Sequence, residues 1–347
     1  MPPQRPELSQ LPEDVRAYIE YLEDALNDAQ SEPSGGRSAS VAEPSEAPTT
    51  QMVVTITRDG MIKRTPRHLY GRQRRGGMGV FDIESSEDDP PALLAVGDVQ
   101  DRLIFFTDRS RFFSLRISEV AEGQVRARGE TLSRWLPLQP GEKVVLALPE
   151  QNAAYFYLLS DRGWVRRVVG TQLLRLAPGS VLEARQGHRP VAACWGTGDR
   201  DLLIVTRGGQ GIRFEERLVP IQGGCLGIRL DGGDEALSIA NVNEKSGVFV
   251  LGEDGKGTIR QMSGVRANKS PGAGGKTIMK ADRIIDAHAV AAGEDVFVIS
   301  QLSKLIRFAA DEVPPKEGVV QGVNCMALRA DEAVACAVSD AGEPLAE

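Results

Sequence analysis

A short glycine-rich loop near residue 75 carries the residue types that bind phosphate. Residues 72–79 read RQRRGGMG, in which Arg74 and Arg75 precede two glycines. Glycine lets the backbone adopt positive φ and bring its N–H groups close to an anion. An uncharged glutamine donor and a further arginine suit sequence-independent contact with phosphates. The residues expected to bind a nucleic-acid backbone here are Arg72, Gln73, Arg74, Arg75, Gly76, Gly77 and Gly79.

Basic residues also recur at the ends of predicted strands along the chain. If equivalent positions stand on successive structural repeats, they would form a ring of positive charge that can follow a bent duplex. Arginine makes up 32 of the 41 basic residues and suits bidentate phosphate contact. The alternative is that single members pair with acids of neighbouring repeats. The members of the expected ring are Lys63, Arg64, Arg166, Arg167, Arg213, Arg260 and Arg307.

The segment SPGAGGKT, residues 270–277, resembles the phosphate-binding loop of nucleotide hydrolases without matching it. That loop needs glycine at its first position, where this chain has Ser270, and an apolar strand before it. The segment occupies the place of a glycine-rich loop in its own repeat. We therefore expect no nucleotide binding, and instead expect Lys269 and Lys276 to contact DNA.

The remaining polar residues indicate neither a metal site nor a cofactor. The four cysteines form no CxxC pair, and only three histidines accompany them. The acidic run at residues 84–89 is followed by two prolines and is typical of a solvated turn rather than a magnesium site. Three widely spaced histidines offer no nucleophile–base arrangement.

The elements that position these residues repeat six times from residue 51 onward. In each unit an apolar run, a polar turn and a second run form a predicted hairpin, followed by a glycine-rich loop and a further apolar stretch. In the first unit we expect this stretch at residues 80–83. Six units of four short strands predict an all-β, six-bladed propeller. A tandem of small barrels is the weaker alternative, because such a unit cannot bury both faces alone. The units align at Thr57, Thr107, Ser160, Thr206, Gly252 and Ser300.

The first 50 residues differ from the rest in composition and charge. Residues 1–30 are expected to form an acidic helix, centred on residues 12–29, with one apolar stripe. Residues 31–50 are rich in Ser, Pro, Glu and Gly and predict a flexible linker to the propeller at residues 51–347. The helix is expected to dock on a partner or on the body, or to self-associate.

Net charge alone is misleading for this chain of 347 residues. Its formal charge of −7 comes from 41 basic and 48 acidic residues, and the first 50 hold three and ten of these. Residues 51–347 therefore hold 38 basic and 38 acidic residues. The positions of these charges in the fold, rather than their sum, decide what this region binds. No run of 18 apolar residues or apolar leader is present, which predicts a cytoplasmic protein without membrane contact.

The segment QRRGGMG resembles the box Q-(R/K)-R-G-G-(R/K)-G of the C-terminal domain of DNA gyrase A. The phrases ITRDGMIKRTP, LLIVTRGGQGIRF and IQGGCLGIRL also resemble that family, and the likeness extends over residues 51–347. The resemblance implies a β-pinwheel whose basic rim wraps duplex DNA. The sixth box position, usually basic, is Met78 here, so one cationic contact is missing.

The resemblance implies non-catalytic binding and wrapping of duplex DNA, acting on DNA topology in association with the nucleoid. We expect no enzyme activity, because no tyrosine stands in the Arg-Tyr-Ser/Thr context of strand cleavage and 50 residues cannot hold a cleavage domain. A topoisomerase core or another protein is the expected partner of the N-terminal helix. The alternative function is a protein-interaction platform that kept the fold and lost DNA wrapping. The acidic leader is expected either to dock a partner or to mimic DNA on the rim.

Overall fold

The computed structural model describes residues 46–339. The predicted helix at residues 12–29 and the linker up to residue 45 lie outside the described residues. Residues 46–50, which the sequence assigns to the linker, are held against the propeller. Thr49 is buried, Thr50 donates a hydrogen bond to Asp98, and Glu46 pairs with Arg67 and Arg307.

The described chain consists almost entirely of short strands. The first twelve are β1 Gln51–Thr57, β2 Met61–Pro66, β3 Val80–Phe81, β4 Pro91–Asp98, β5 Arg102–Thr107, β6 Phe112–Arg116, β7 Glu130–Thr131, β8 Val144–Pro149, β9 Tyr155–Ser160, β10 Trp164–Val169, β11 Pro190–Gly196 and β12 Asp201–Thr206. The next twelve are β13 Gln210–Glu215, β14 Cys225–Leu226, β15 Ala236–Val242, β16 Gly247–Gly252, β17 Lys256–Gln261, β18 Lys276–Thr277, β19 Ile284–Val290, β20 Asp295–Ser300, β21 Lys304–Ala309, β22 Pro315–Lys316, β23 Val323–Asn324 and β24 Ala333–Ser339.

Helical structure within residues 46–339 is confined to single turns. They lie mostly after the second strand of a hairpin and turn the chain toward the next blade. The 3-10 turns are Arg67–Leu69, Ile117–Glu119, Leu132–Arg134, Glu216–Leu218, Met262–Gly264 and Ala310–Glu312, and the one α-helical turn is Gly170–Leu173. In this part of the chain, no helix is long and apolar enough to cross a membrane.

Six small sheets form the blades of a propeller, which confirms the predicted fold. From the axis outward, their strands run β4-β1-β2-β7, β8-β5-β6, β11-β9-β10-β14, β15-β12-β13-β18, β19-β16-β17-β22 (with β23 also on β17) and β24-β20-β21-β3. The innermost strands of neighbouring blades contact one another, and β24 meets β4 to close the ring. The second strand from the axis is buried on both faces, as its continuous apolar sequence predicts; every residue of β16 is buried.

A side-chain hydroxyl fixes the hairpin turn in five of the six blades. At the position where the repeats align, this hydroxyl accepts a hydrogen bond from the backbone N–H four residues later, at 3.0–3.2 Å. The fifth blade has Gly252 at this position and uses Asp254 instead, which accepts from the N–H of Lys256. The hydroxyl residue at five of the six alignment positions therefore stabilises the turn.

The outermost strand of each blade is supplied by the following repeat. The glycine-rich loop of repeat 2 gives β7 to blade 1, and the loop of repeat 1 gives β3 to blade 6. We call these six loop-and-strand regions the outer segments: residues 71–81, 121–131, 174–183, 220–229, 266–277 and 314–324. In blade 2 the outer segment makes only a bridge, between Arg111 and Val181.

This exchange corrects one prediction. The stretch at residues 80–83 was expected to complete repeat 1, but Val80 and Phe81 instead pair with Leu305 and Lys304 of blade 6. The innermost strand of blade 1 is β4, Pro91–Asp98. The exchanged strand fastens the last blade to the first repeat and closes the ring, and the sequence of one repeat cannot show this.

Candidate nucleic-acid interface

The box loop is shaped by its glycines and Gln73, which fasten β3 to blade 6. Gly76 and Gly79 have φ of +81° and +71°, and a Cβ on Gly79 would lie 2.6 Å from the carbonyl oxygen of Leu305. The Gln73 N–H donates to the carbonyl of Arg307 at 2.7 Å, and its Oε1 accepts from Gly79 N at 3.3 Å. A Cβ on Gly77 would lie 2.7 Å from that same Oε1. These four half-buried residues help to close the ring, so their backbone and amide groups are used within the protein.

The three box-loop arginines have different surroundings. Arg75 is half-buried, and its guanidinium donates to the backbone carbonyls of Glu312 at 2.8 Å and Asn324 at 3.1 Å. Arg72 is exposed and pairs with the buried Asp295 at 2.8 Å. Arg74 is exposed, and its side chain makes no hydrogen bond or ion pair with residues 46–339. Within that part of the chain, Arg74 is therefore the free cation of the box.

The expected ring of strand-end cations is largely buried, so the inference that it faces solvent is wrong for four members. The exposed fractions are 2% for Lys63, 4% for Arg213, 5% for Arg260 and 2% for Arg307. Desolvating a charge is costly unless it is paired, and each of these side chains has hydrogen-bond or ion-pair partners within the protein. The stated alternative, pairing with acids of neighbouring repeats, holds only in part. The paired acids Asp82, Asp201 and Asp295 lie in the same repeat as their cations, and the neighbouring repeats supply mainly carbonyls.

Arg307 is the most heavily engaged of these residues. It forks onto Asp295 with Nε and Nη2 at 2.8 and 2.5 Å, and Nη2 also meets Glu46. Its Nη1 donates to the carbonyls of Arg67 and Tyr70 in blade 1, at 3.3 and 3.2 Å. Arg307 therefore joins blade 6 to blade 1 directly beneath the box loop.

Arg213, Arg260 and Arg64 have the same role at other blade junctions. Arg213 of blade 4 donates to the carbonyls of Met262 at 2.7 Å and Val265 at 3.0 Å in the next repeat. Arg260 donates to the carbonyls of Glu317 and Gly264, and Arg64 to that of Val120 at 2.5 Å. Planar guanidinium groups suit this work because they present several donors to carbonyls at fixed angles.

A buried ion pair holds Lys63 beside the start of blade 1. Its Nζ lies 2.6 Å from Asp82 Oδ1, and both side chains are almost completely buried. Burial lowers the pKa of Lys63, although Asp82 opposes the shift. Burial, followed by the charge of Asp82, raises the pKa of Tyr70, which donates a hydrogen bond to that carboxylate. This polar cluster supports the box loop from below.

The remaining ring members, on β10, are half-buried. Arg166 donates to the carbonyl of Glu183 at 2.9 Å. The guanidinium of Arg167 lies 4.8 Å from the ring centre of Tyr155, a cation–π contact within the same blade. Neither is a free surface cation, although neither contact reaches the following repeat as those of Arg64, Arg213 and Arg260 do.

Exposed cations are found instead on the outer segments, and every one of the six segments carries at least one. Lys269 and Lys276, predicted from the sequence, belong to this set, and the others except those of the box were not predicted. Arg72 excepted, their side chains make no ion pair with residues 46–339. We call them the rim cations: Arg72, Arg74, Arg126, Arg128, Arg175, Arg229, Arg266, Lys269, Lys276 and Lys316.

The acidic side chains within the outer segments themselves are already engaged, whereas residues 84–88, next to the first segment, carry three exposed acids. Glu122 pairs with Arg64 at 3.0 Å, and Glu130 pairs with Arg134 at 2.7 Å. Glu317 accepts from the Ser263 hydroxyl at 2.8 Å. Among residues 46–339, the outer segments thus present unpaired positive charge although residues 51–347 hold equal numbers of both signs. The available sequence signal was position within each glycine-rich loop rather than position at a strand end.

The fold and this edge define a class: a six-bladed propeller closed by an exchanged strand, with cations on its outer strands. The sequence pattern of the DNA gyrase C-terminal domain family, described as a beta-propeller, matches residues 51–89, 101–149, 200–243 and 294–335. The chain therefore belongs to the DNA gyrase C-terminal domain family.

Individual relatives agree with this assignment. The chain is 24% identical over 328 residues to the DNA gyrase A protein of Ureaplasma parvum, covering 91% of the chain and 39% of that relative. It is 29% identical over 294 residues to the DNA gyrase A protein of Mycobacterium bovis, covering 80% of the chain and 35% of that relative. The chain thus spans between a third and two fifths of the length of these curated relatives.

Solved structures show the same fold. A structure of a DNA gyrase A C-terminal domain superposes with a TM-score of 0.74 at 21% identity, over 83% of this chain and 99% of that one. A C-terminal domain of DNA topoisomerase IV superposes with a TM-score of 0.59 at 16% identity, over 84% and 94%.

Proposed function

We propose that this chain binds the backbone of duplex DNA along the rim cations and wraps the duplex around the edge of the propeller. The observation that carries the proposal is that each of the six outer segments has an exposed cation with no ion-pair partner among residues 46–339. Contacts to phosphate position DNA without reading its sequence. A continuous edge of such contacts favours a bent duplex, because bending lets each blade reach the backbone.

The low aromatic content supports duplex rather than single-stranded nucleic acid. Aromatic residues make up 5% of the chain, whereas proteins that bind single strands stack bases on aromatic side chains. Lys269 and Lys276 lie on one outer segment and Arg74 on another, so one duplex must span several blades to meet them. The chain would thus act on DNA topology as an accessory to a topoisomerase core in the nucleoid, without cleaving strands itself.

The test is a salt titration of duplex binding by wild type and a rim variant. Neutralising six to ten phosphates should weaken binding by roughly 10³–10⁵ between 50 and 200 mM salt. The triple variant Arg74→Ala, Lys269→Ala, Lys276→Ala should bind more weakly and lower the slope of log K against log salt by about 2.7. The matched control removes three exposed cations outside the outer segments: Arg58→Ala, Arg200→Ala and Lys245→Ala.

The outcomes separate the proposal from its alternative. Equal losses in the two triple variants would mean that DNA binding, if present, is not placed on the rim. No binding by wild type at 50 mM salt would overturn the proposal and favour a protein-interaction platform. Exposed Phe81 and Leu302 beside a groove at residues 83–88 would then be the first surface to examine.

Wrapping is a separate claim and needs a topological readout. A relaxed plasmid closed by a nicking-closing enzyme in the presence of the protein should acquire a shift in linking number. The rim variant should reduce that shift, and the control variant should retain it. Tight binding without any shift would leave DNA binding standing and remove wrapping.

The acidic leader can be tested with a deletion that respects the structure. Residues 1–43 should be removed rather than 1–50, because Glu46 is part of the junction between blades 6 and 1. Tighter DNA binding by the shortened chain would support competition between the leader and DNA. Unchanged DNA binding together with loss of a protein partner would support docking.

A further inference from the structure

Three potential metal ligands lie close together at the axial channel of the propeller. The proposed DNA binding on the outer segments does not use them. The innermost strands of all six blades line a cavity of about 340 Å³. Asp286 and His288, two residues apart on β19, lie on the same side of that strand. Cys336 reaches the same point from β24 of the next blade.

The ligand atoms of these residues are already close together. Asp286 Oδ2 lies 3.0 Å from His288 Nε2, and the carboxylate, imidazole and thiol atoms all lie within 4.8 Å of one another. Zinc bonds of about 2.0–2.3 Å would place tetrahedral ligand atoms roughly 3.3–3.8 Å apart. The three side chains therefore need to converge by about 1 Å at most to share one ion.

The surrounding backbone holds the cluster in place. Asp286 Oδ1 accepts from the Ala287 N–H at 2.9 Å, and Oδ2 accepts from the Cys336 N–H at 3.2 Å. Cys336 is 1% exposed, so its position is fixed by packing between the blades. Backbone hydrogen bonds to a carboxylate are the kind of outer contact that orients a metal ligand.

We propose that Asp286, His288 and Cys336 bind a zinc-like divalent transition-metal ion in the axial channel, joining blade 5 to blade 6. A thiolate, an imidazole and a carboxylate form a mixed donor set that suits zinc rather than magnesium or calcium. Asp286 and His288 line the channel with side chains that are 23% and 40% exposed, so water from the channel would complete the coordination of the ion. Metal binding releases the thiol proton to solvent.

Bound metal would stabilise the ring, because an ion that binds only the folded chain shifts unfolding by mass action. The other charged side chains lining the cavity are Arg207, Arg283, Glu253 and Glu332. Arg283 pairs with Glu253 at 3.2 Å, and Arg207 pairs with Glu235 at 3.2 Å. These arginines are thus held by acids rather than directed at the cluster.

The experiment uses the full chain after chelation and dialysis. Titration of Zn²⁺ by calorimetry should show one ion per chain, with an upward shift in Tm. Substitution with Co²⁺ should add a thiolate-to-cobalt charge-transfer band in the near ultraviolet. Cys336→Ser should remove this band, and His288→Gln should weaken Zn²⁺ binding by roughly tenfold or more. The matched control is His188→Gln, a half-buried histidine of blade 3 that should leave binding unchanged.

Absence of Zn²⁺ binding by wild type would overturn the proposal. So would equal Zn²⁺ affinity in wild type, His288→Gln and Cys336→Ser, since binding would then lie elsewhere. If Cys336→Ser fails to fold, His288→Gln still decides the question, because its side chain is 40% exposed and its loss opens no core. None of these readouts involves DNA.

Discussion

Basic residues at the strand ends and basic residues on the outer segments carry the same charge but differ in their surroundings and roles. Arg307, at a strand end, has every face of its guanidinium occupied by acids and carbonyls of two blades. Arg74, on an outer segment, extends into solvent with no ion pair among the described residues. The difference shows that a recurrent arginine in a propeller can be a junction between repeats as readily as a ligand contact.

The strongest test of this contrast compares Arg307→Ala with Arg74→Ala. Arg307→Ala should lower the free energy of unfolding by about 3–5 kcal/mol, because it leaves the buried Asp295 without its main partner. Arg74→Ala should change it by no more than about 0.5 kcal/mol. Urea denaturation followed by circular dichroism measures both. Similar stabilities for the two variants would break the comparison.

The next largest effect on the free energy of unfolding is expected at the box loop, which closes the ring. Gly79→Ala should cost about 1–3 kcal/mol, because positive φ and the nearby Leu305 carbonyl both oppose a Cβ. Gly141→Ala is the control, since Gly141 has φ of +73° with nothing within 4 Å of an added Cβ. A greater loss at Gly79 isolates the contribution of close approach between β3 and blade 6. Equal losses would show that the backbone angle alone matters.

The box departure at Met78 offers a gain of function. This side chain is 50% exposed, so Met78→Lys should be accommodated without repacking. It should raise the slope of log K against log salt for duplex DNA by about 0.9, the contribution of one phosphate contact. Leu218→Lys, at an exposed apolar site in the 3-10 turn of blade 4, is the control. A gain of equal size in both variants would point to net charge rather than position.

The smallest expected effect is on the pH dependence of stability, through the carboxyl group of Glu46. Burial alone would raise the pKa of Glu46, but hydrogen bonds and charge from Arg307 and Arg67 outweigh it and hold that pKa below its ordinary range. A depressed pKa stabilises the fold above the ordinary glutamate pKa, and this contribution is lost as pH falls through the lower value. Glu46→Gln should therefore be less stable than wild type near pH 7 and should converge with it in acid. Parallel stability curves from pH 7 to pH 3 would refute this role.

Parts of the site were predictable because their signal is local. The glycines of the box predict a loop with positive backbone φ angles, and Gly76 and Gly79 have positive φ. Lys269 and Lys276 stand in such a loop and are exposed, as expected. The exposure of Arg213 and Lys63 was predicted wrongly. Position along a strand indicates on which face of the sheet a side chain lies, but its burial depends on the neighbouring blade. Arg126 and Arg175 were overlooked because their loops lack a motif.

The number of repeats, the hairpins and the family can be inferred from the order of residues alone. These follow from local patterns: apolar runs of strand length, turn residues at fixed offsets, and one seven-residue box. The folded chain was needed to show which repeat completes which blade, since a strand exchanged around the ring pairs Val80 with Leu305 across the whole domain. It also decided which cations remain free, and it brought Asp286 and Cys336, 50 residues apart, to one point. These features depend on closure of the ring, because closure buries side chains that a single repeat would expose to solvent.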